Sequence, residues 1–418
     1  MSVTRRKLLG SALAATAAAP LASPRRARAQ QAPVLRLGVL TDLSGPYRDT
    51  AGPGSVACTR QAAEEAQAAQ AALPGLRVEV LQGDHQNKPD IGAGIARQWF
   101  DRDGVDAVAD VPNSAVGLAV AEVAREKDKV FLVTGAATTD LTGRRCAPTT
   151  VHWTFDTYML ARSNGGALVA AGQKTWLFVT ADYNFGHTLQ REATSFIEKG
   201  GGRVVGAVSY PFPQTTDFSS FLVQAQSSRA QVLALANAGA DTINCIKQAG
   251  EFGLIAGGTT IAAMLMFISD VHALGLQAAH GLVLTETFYW DFDDRTRAFT
   301  KRVLPKMRPD WRPDMEHAGS YAAALHYLKA AAAMGPAEAK RSGAAAVARM
   351  KAMPTDDDAF GRGRIRADGR TLHPAYLFEV KSPEESRGPW DYYKPIATTP
   401  ADEAARPLAQ GGCPLVKI

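Results

Sequence analysis

Residues 105–141 read VDAVADVPNSAVGLAVAEVAREKDKVFLVTGAATTDL, and the rest of the chain is organised around this stretch. A short apolar run at 107–111 ends at Pro112-Asn113-Ser114. An Ala/Val-rich helical pattern follows to about Lys127. A second apolar run at 130–133 ends at Thr134-Gly135-Ala136-Ala137-Thr138. This is a β-α-β unit with a small polar loop at the carboxyl end of each strand, where ligands collect in an open parallel sheet. The first loop also opens a helix, with Asn113 or Ser114 as its N-cap, and a helix start favours an anion through its free N–H groups and dipole. The two loops are therefore expected to hold the anionic end of a small ligand. The competing reading is that one loop merely caps a helix and the other ends a strand.

The same rhythm extends in both directions. A strand at 34–40 leads to TDLSGPYRDTAGPGS and a helix over about 56–72, and a strand at 77–81 leads to GDHQNKPD and a helix over about 91–101. Further on come a strand at 175–180, the loop ADYNFG and a helix over 187–199. Strands at 203–209 and 231–235 follow, the latter ending at Ala236-Asn237-Ala238-Gly239, with a helix over 242–252. Repeated strand-loop-helix predicts an α/β fold with parallel sheets flanked by helices. Two such series in tandem, in a chain long for one domain, predict two lobes with a cleft between them.

Residues 1–29 read as a targeting segment. Thr4-Arg5-Arg6-Lys7-Leu8-Leu9 is a twin-arginine signature, a weakly apolar run follows, and Ala27-Arg28-Ala29 is a small-x-small cleavage site. No cysteine precedes Cys58, so no lipid anchor is expected, and the mature chain is expected in a periplasm. The chain carries 46 Lys+Arg against 41 Asp+Glu. Six of those bases and no acid lie in 1–29, so the remainder nets −1. The basic pI belongs to the leader and gives no reason to invoke nucleic acid. Cys58 and Cys245 fall in helical patterns and read as buried thiols. Cys146 (RRCAP) and Cys413 (GGCPL) sit in irregular context and are the pair expected to bridge if any does, although four cysteines allow three full connectivities. No Cys-x-x-Cys or His-rich spacing suggests a metal.

LSGPY, GDHQNKPDIG, PNSAVGLAV, VTGAATTDLT, TADYNFG and IKQAGEFGL occur in that order. With them the chain resembles type I periplasmic solute-binding proteins, the ligand-capturing subunits of ABC importers, and most of all the leucine/isoleucine/valine-binding branch. The resemblance spans nearly the whole mature chain. It implies two Rossmann-like lobes joined by a three-segment hinge, with the ligand cleft between them. The first lobe would comprise 33–152 plus 286–359, and the second 153–285 plus 360–418. Crossings are expected near His152-Trp153, near 284–288 and near 360–370.

The resemblance also assigns roles. Asn113, Ser114, Ala136 and Thr138 match the positions that hold a ligand carboxylate. Tyr47 matches a residue at the cleft mouth, and Phe185 takes a position where amino-acid binders commonly carry tyrosine. Trp153, Phe155 and Asp156 follow the first crossing, facing the cleft, and Tyr289 and Trp290 add an aromatic wall past the second. Asn237 lies in the loop after the strand at 231–235. The implied partners are a small-molecule ligand and the membrane permease subunits, with the protein itself a monomer.

The departures bear on the ligand. Amino-acid binders hold the ammonium with an acid from the second lobe, but IAAMLMFISD offers none between Ala263 and Phe267, and Asp270 comes several residues late. An unpaired ammonium in a closed cleft is costly. Asp156 or Asp182 are the possible substitutes. The pocket therefore reads as more apolar than an α-amino-acid site, suited to an aromatic or aliphatic carboxylate, with leucine expected to bind poorly. Gly52-Pro-Gly54-Ser-Val-Ala57 lies too far from the first strand for a dinucleotide loop, and no G-x-S-x-G elbow occurs. No cofactor, metal or catalysis is expected. A binding protein that delivers ligand to a transporter leads. A ligand-sensing module for a membrane receptor and an exported oxidoreductase are the alternatives.

Overall fold

The computed structural model describes residues 34–69 and 76–417. The twin-arginine segment read in 1–29 lies outside the described residues. Five parallel strands form the first sheet: β1 (Val34–Thr41), β2 (Arg77–Asp84), β3 (Ala107–Asp110), β4 (Val130–Val133) and β5 (Thr150–His152), in the order β2-β1-β3-β4-β5. β3 and β4 are central and buried on both faces, which is why β4 reads as an unbroken apolar run and β3 as one up to Asp110, rather than as alternating patterns. β2 lies at the edge and carries its charges half-exposed. Helices α1 (Gly52–Ala68), α2 (Pro89–Gln98) and α3 (Ser114–Glu126) connect the strands.

The second sheet repeats this with β6 (Thr175–Ala181), β7 (Arg203–Tyr210), β8 (Val232–Ala236) and β9 (Thr260–Ala263), all parallel, in the order β7-β6-β8-β9. Helices α4 (Asn184–Lys199) and α5 (Ala240–Glu251) follow β6 and β8. A third, antiparallel sheet of β10 (Val283–Glu286), β11 (Ala375–Val380) and β12 (Tyr393–Thr399) packs its Phe378, Tyr393 and Val380 into the core of the second lobe. Helix α6 (Met315–Met334) is buried nearly all round against α1. Its run of alanines and Gly54 of α1 permit that closeness, since a side chain at 54 would collide with His317, while Gly319 on another face leaves room for Thr154.

The chain passes between the lobes after β5, after β10 and again before β11. Arg370 binds the third passage to the first: its backbone bridges to His152, and its buried guanidinium reaches the Asp156 carboxylate at 2.8 Å and the carbonyls of His152, Trp153 and Thr154. The end of the chain departs from the expected division. Residues after β12 return to the first lobe, where Arg406 Nη2 donates to Thr139 O at 2.9 Å and Cys413 is bonded to Cys146 across a Cα–Cα distance of 5.7 Å. Cys58 and Cys245 are free and buried. Among the described residues, no helix is long and apolar enough to cross a membrane, and no group of His, Cys, Asp or Glu is arranged to hold a metal.

Candidate functional site: an aromatic cavity between the lobes

A narrow cavity lies where the carboxyl ends of the two parallel sheets face each other. Its walls come from successive strand-end loops: Tyr47 after β1, Pro112 after β3, Gly135 and Ala137 after β4, and Phe155 after β5. From the second lobe come Tyr183 and Phe185 after β6, Ala238 after β8, and Leu265 and Phe267 after β9. One lining residue breaks this rule. Glu316 enters from the first turn of α6.

Local chemistry sets each loop. In LSGPY the buried Asp42 carboxylate accepts the N–H groups of Gly45 at 2.6 Å and Tyr47 at 2.9 Å, which curls the loop and aims Tyr47 at the cleft. There the Tyr47 hydroxyl meets that of Tyr183 at 2.6 Å, a hydrogen bond from lobe to lobe. Phe212 stacks on both rings, with centroids at 5.5 and 4.6 Å. Phe155 meets Phe267 edge-on at 5.8 Å, again across the cleft. After β4 the chain alternates: Gly135 and Ala137 face the cavity while Ala136 faces the core. Gly135 is required by close approach, because a Cβ there would collide with the Glu316 carboxyl.

The residues singled out by sequence divide accordingly. Tyr47, Phe155 and Phe185 line the cavity. Asn113 is occupied as the cap of α3, its Oδ1 accepting from Ala115 N–H at 2.9 Å and Val116 N–H at 3.1 Å. Ser114 Oγ accepts the Thr138 N–H at 3.2 Å and so ties the two loops together, while Thr138 Oγ1 accepts from Asp140 N–H. Ala136 is turned under α3, against Gly117. Trp153 is in the core between His326 and His373 rather than in the cleft. Asp156 caps the following helix through Met159 N–H and pairs with Arg370, so it is not free for a ligand. Asn237 Oδ1 accepts from Thr242. Tyr289 and Trp290 both donate to Trp390 O, which holds them in the second-lobe core away from the cleft.

Sequence reasoning missed Tyr183, Leu265, Phe267 and Glu316. Tyr183 stands in the DYNFG loop already singled out, and Phe267 in the segment scanned only for acids. Glu316 is a carboxyl that the sequence reading, which named Asp156 and Asp182, did not place at the cavity, and it comes from the first lobe. Its sequence signal is a helix start, Asp314-Met315-Glu316, with Asp314 Oδ1 accepting the N–H groups of Glu316 and His317.

The model of the periplasmic binding protein family matches residues 34–388. The chain belongs to this family. Among solved structures, a periplasmic binding protein from Burkholderia mallei is 43% identical, with a TM-score of 0.85, covering 92% of this chain and 99% of its own. A branched chain amino acid ABC transporter periplasmic ligand-binding protein from Burkholderia xenovorans is 37% identical, with a TM-score of 0.78, covering 91% and 99%. A solute-binding protein from R. palustris in complex with benzoate shares the fold at 21% identity and a TM-score of 0.75, covering 88% and 97%. No curated protein matches the chain. This periplasmic binding protein is therefore a solute-binding component of ABC transport and not an enzyme.

The electrostatics of the cleft are those of a solute trap with one polar end. Most of its wall is aromatic or aliphatic. Its one acid, Glu316, is 2% exposed, and burial pushes its carboxyl well above the usual range, reinforced by the Asp110 and Asp314 carboxylates. Burial raises Asp110 to about 6, against the pull of hydroxyl donors such as Thr41 and Thr134. The backbone at Asp110 and Val111 is left-handed, with φ of 79° and 63°. For a valine this is a genuine outlier, and such strain collects where a loop is held for function. Here it carries the chain from β3 over the floor of the cavity.

Proposed function

We propose that this periplasmic binding protein captures a small solute consisting of an apolar body and a carboxylate, and presents it to the membrane permease of an ABC transporter. The protein works as a monomer and is exported by the twin-arginine route. The observation that carries this reading is the polarity of the cleft. Phe155, Phe185, Phe267 and Leu265 supply an apolar seat, while the loop after β4 brings the main chain of Gly135 and Ala137 to its edge. Asn113 satisfies two of the four N–H groups that a helix start leaves open. Those of Asn113 and Ser114 remain for the carboxylate, and the Ser114–Thr138 bond fixes the second loop beside them. The aromatic walls favour an aromatic or branched aliphatic body. The printed descriptions of a branched chain amino acid transporter protein and a benzoate complex among the similar structures accord with a small carboxylate.

The test is a thermal-shift screen of the mature protein against carboxylic acids and the matching amides. A ligand bound only by the folded state adds about 2.7 kcal/mol at a hundredfold excess over its Kd. Acids are expected to raise the melting temperature and amides to leave it unchanged. Equal shifts with the amides, or no shift with any acid, would refute the carboxylate reading. With a bound acid in hand, Ser114→Ala and Thr138→Val, which loosen the loop after β4 by removing its Ser114–Thr138 and Thr138–Asp140 hydrogen bonds, should each weaken it by about 0.5–1.5 kcal/mol in calorimetry.

A further inference from the structure

The family match ends at residue 388, and the chain runs on past it. Its last strand, β12, is fixed in the second lobe, where Thr399 pairs with Ala375 of β11. A short way on, Cys413 is bonded to Cys146 of the first lobe. The segment between them crosses the lobe boundary beside the hinge and is held on both sides. In the second lobe Glu403 accepts from Arg162 Nη2 at 2.8 Å. Arg406 has already crossed: its Nη2 donates to Thr139 O at 2.9 Å, and its carbonyl accepts from Arg366 Nη1 at 2.9 Å. Arg366 in turn pairs with Asp368 at 2.6 Å, and Asp368 accepts the Arg370 N–H at 3.1 Å. The tail is thus clamped to the same hinge segment that Arg370 binds to the first crossing. Ala404, Ala405 and Cys413 are buried in this seat. A side chain at Gly143 would strike both Arg406 Nη2 and the Gly411 carbonyl, so the first lobe is shaped to receive the tail. The turn that receives it is also one that the second lobe touches. From α4, Glu192 Oε1 accepts the Thr139 hydroxyl at 2.5 Å, and Asn184 Nδ2 donates to Asp140 Oδ2 at 3.2 Å.

We infer that residues 400–413 form a strap across the hinge, a fourth connection between the lobes, and that the Cys146–Cys413 bridge keeps it seated and so limits how far the lobes open. Hinge closure requires the crossing segments to absorb a change in backbone angles. The strap adds a segment anchored by a strand ladder at one end and a covalent bond at the other. Its other holds are weak, because Arg162–Glu403 and Arg364–Asp402 are exposed ion pairs. Without the bridge the tail leaves its seat at little cost, and the lobes open on three crossings alone. With the bridge a detached tail stays close to its seat and rebinds at high effective concentration. None of these residues lines the cavity, so the strap acts whatever solute the cleft takes.

The experiment is pulsed electron-resonance distance measurement on the ligand-free mature protein. Spin labels are placed at Lys88 and Gln214, exposed positions in the loops that follow β2 and β7 on opposite lobes. They are carried on a ketone-bearing amino acid, so that no cysteine is disturbed. Wild type is expected to give a narrow distance distribution, and Cys413→Ser a broader one reaching longer distances. A label pair inside the first lobe, at Lys88 and Arg102, should not change. Wild type reduced after folding with a phosphine, with cleavage confirmed by counting thiols, should match the variant and decides alone if the variant does not fold. The same interlobe distribution with and without the bridge overturns the inference. So does an equal shift in the pair inside the first lobe, which would mean that the bridge only stabilises that lobe.

Discussion

Arg370→Met tests whether the hinge is held by one buried ion pair. The guanidinium is fully buried, and Asp156 is 1% exposed. Arg370 Nε donates to Asp156 Oδ2 at 2.8 Å, Nη2 to Thr154 O at 2.8 Å, and Nη1 to Trp153 O at 3.2 Å and His152 O at 3.3 Å. Every acceptor lies on the first crossing, so the substitution strands a carboxylate and three carbonyls together. Removing one member of a buried pair costs about 3–5 kcal/mol. For a chain of this size that lowers the thermal midpoint by roughly 4–6 °C.

The pH dependence gives the sharper reading. Burial works to raise the Asp156 carboxyl, but Arg370 beside it outweighs that, and the group lies below its ordinary value. In wild type its stabilisation is therefore present above the unfolded carboxylate pKa of about 3.9, and is lost only as pH falls through the lower folded value. In Arg370→Met burial is opposed chiefly by the Met159 N–H, without its main counter-charge, so the Asp156 pKa rises and the deficit is fullest at high pH. Protonation then relieves it, and the gap between variant and wild type should narrow from pH 8 to pH 4.5. Adding Asp156→Asn, which keeps an acceptor for Met159 N–H, should recover part of the loss at pH 8. A deficit under about 1 kcal/mol, or one that is the same at both pH values, would refute the argument that an uncompensated charge is what destabilises the variant.

Other consequences are simpler to state. Tyr183→Phe removes the lobe-to-lobe hydrogen bond and should raise the calorimetric Kd of the best acid from the screen about 2–10-fold, with Tyr47→Phe adding nothing further in the double variant. Phe185→Ala should cost about 1.5–3 kcal/mol of binding to the same acid, the worth of one large apolar contact, and, because the ring is buried in the core, should also lower the stability of the free protein by about 3–5 kcal/mol. Cys413→Ala opens a bridge with a sequence separation of 267 and should lower unfolding free energy by up to about 5 kcal/mol in denaturant titration. Wild type in reductant should then match the variant.

The parallel strands were legible because their signals are local. VFLV is apolar throughout and AVAD is apolar up to Asp110, both being buried on both faces, and each is closed by a proline or glycine loop. Asn113 was legible as a cap for the same reason, since it satisfies groups two and three residues away. The third sheet was not legible. β10 and β11 pair over some ninety residues, and neither sequence says which partner it will find. Trp153, Tyr289 and Trp290 look in sequence like cleft aromatics because they follow crossings. Whether such a ring turns to the cleft or the core is decided by distant acceptors: Trp390 O takes the hydrogen bonds of both Tyr289 and Trp290.

Glu316 was invisible for a different reason. The search for an acid followed the second lobe, where the chain after β9 offers only apolar residues, and ended there. A cleft between two lobes has two banks, and a charge can be placed on it from either. Here α6 delivers the carboxyl from the first lobe, at a point where Gly135 leaves room for it. That exchange has a physical consequence for closure. With the acid already fixed beside the main-chain donors after β3 and β4, the first lobe alone holds the polar contacts for a ligand. The second lobe then contributes Tyr183, Phe185, Leu265 and Phe267, almost wholly apolar contact. A ligand should therefore bind the open first lobe through its polar groups, and lobe closure should be driven by burial of its apolar body. In that case Phe185→Ala weakens closure while leaving the encounter intact, and its effect falls on the dissociation rate rather than on the association rate.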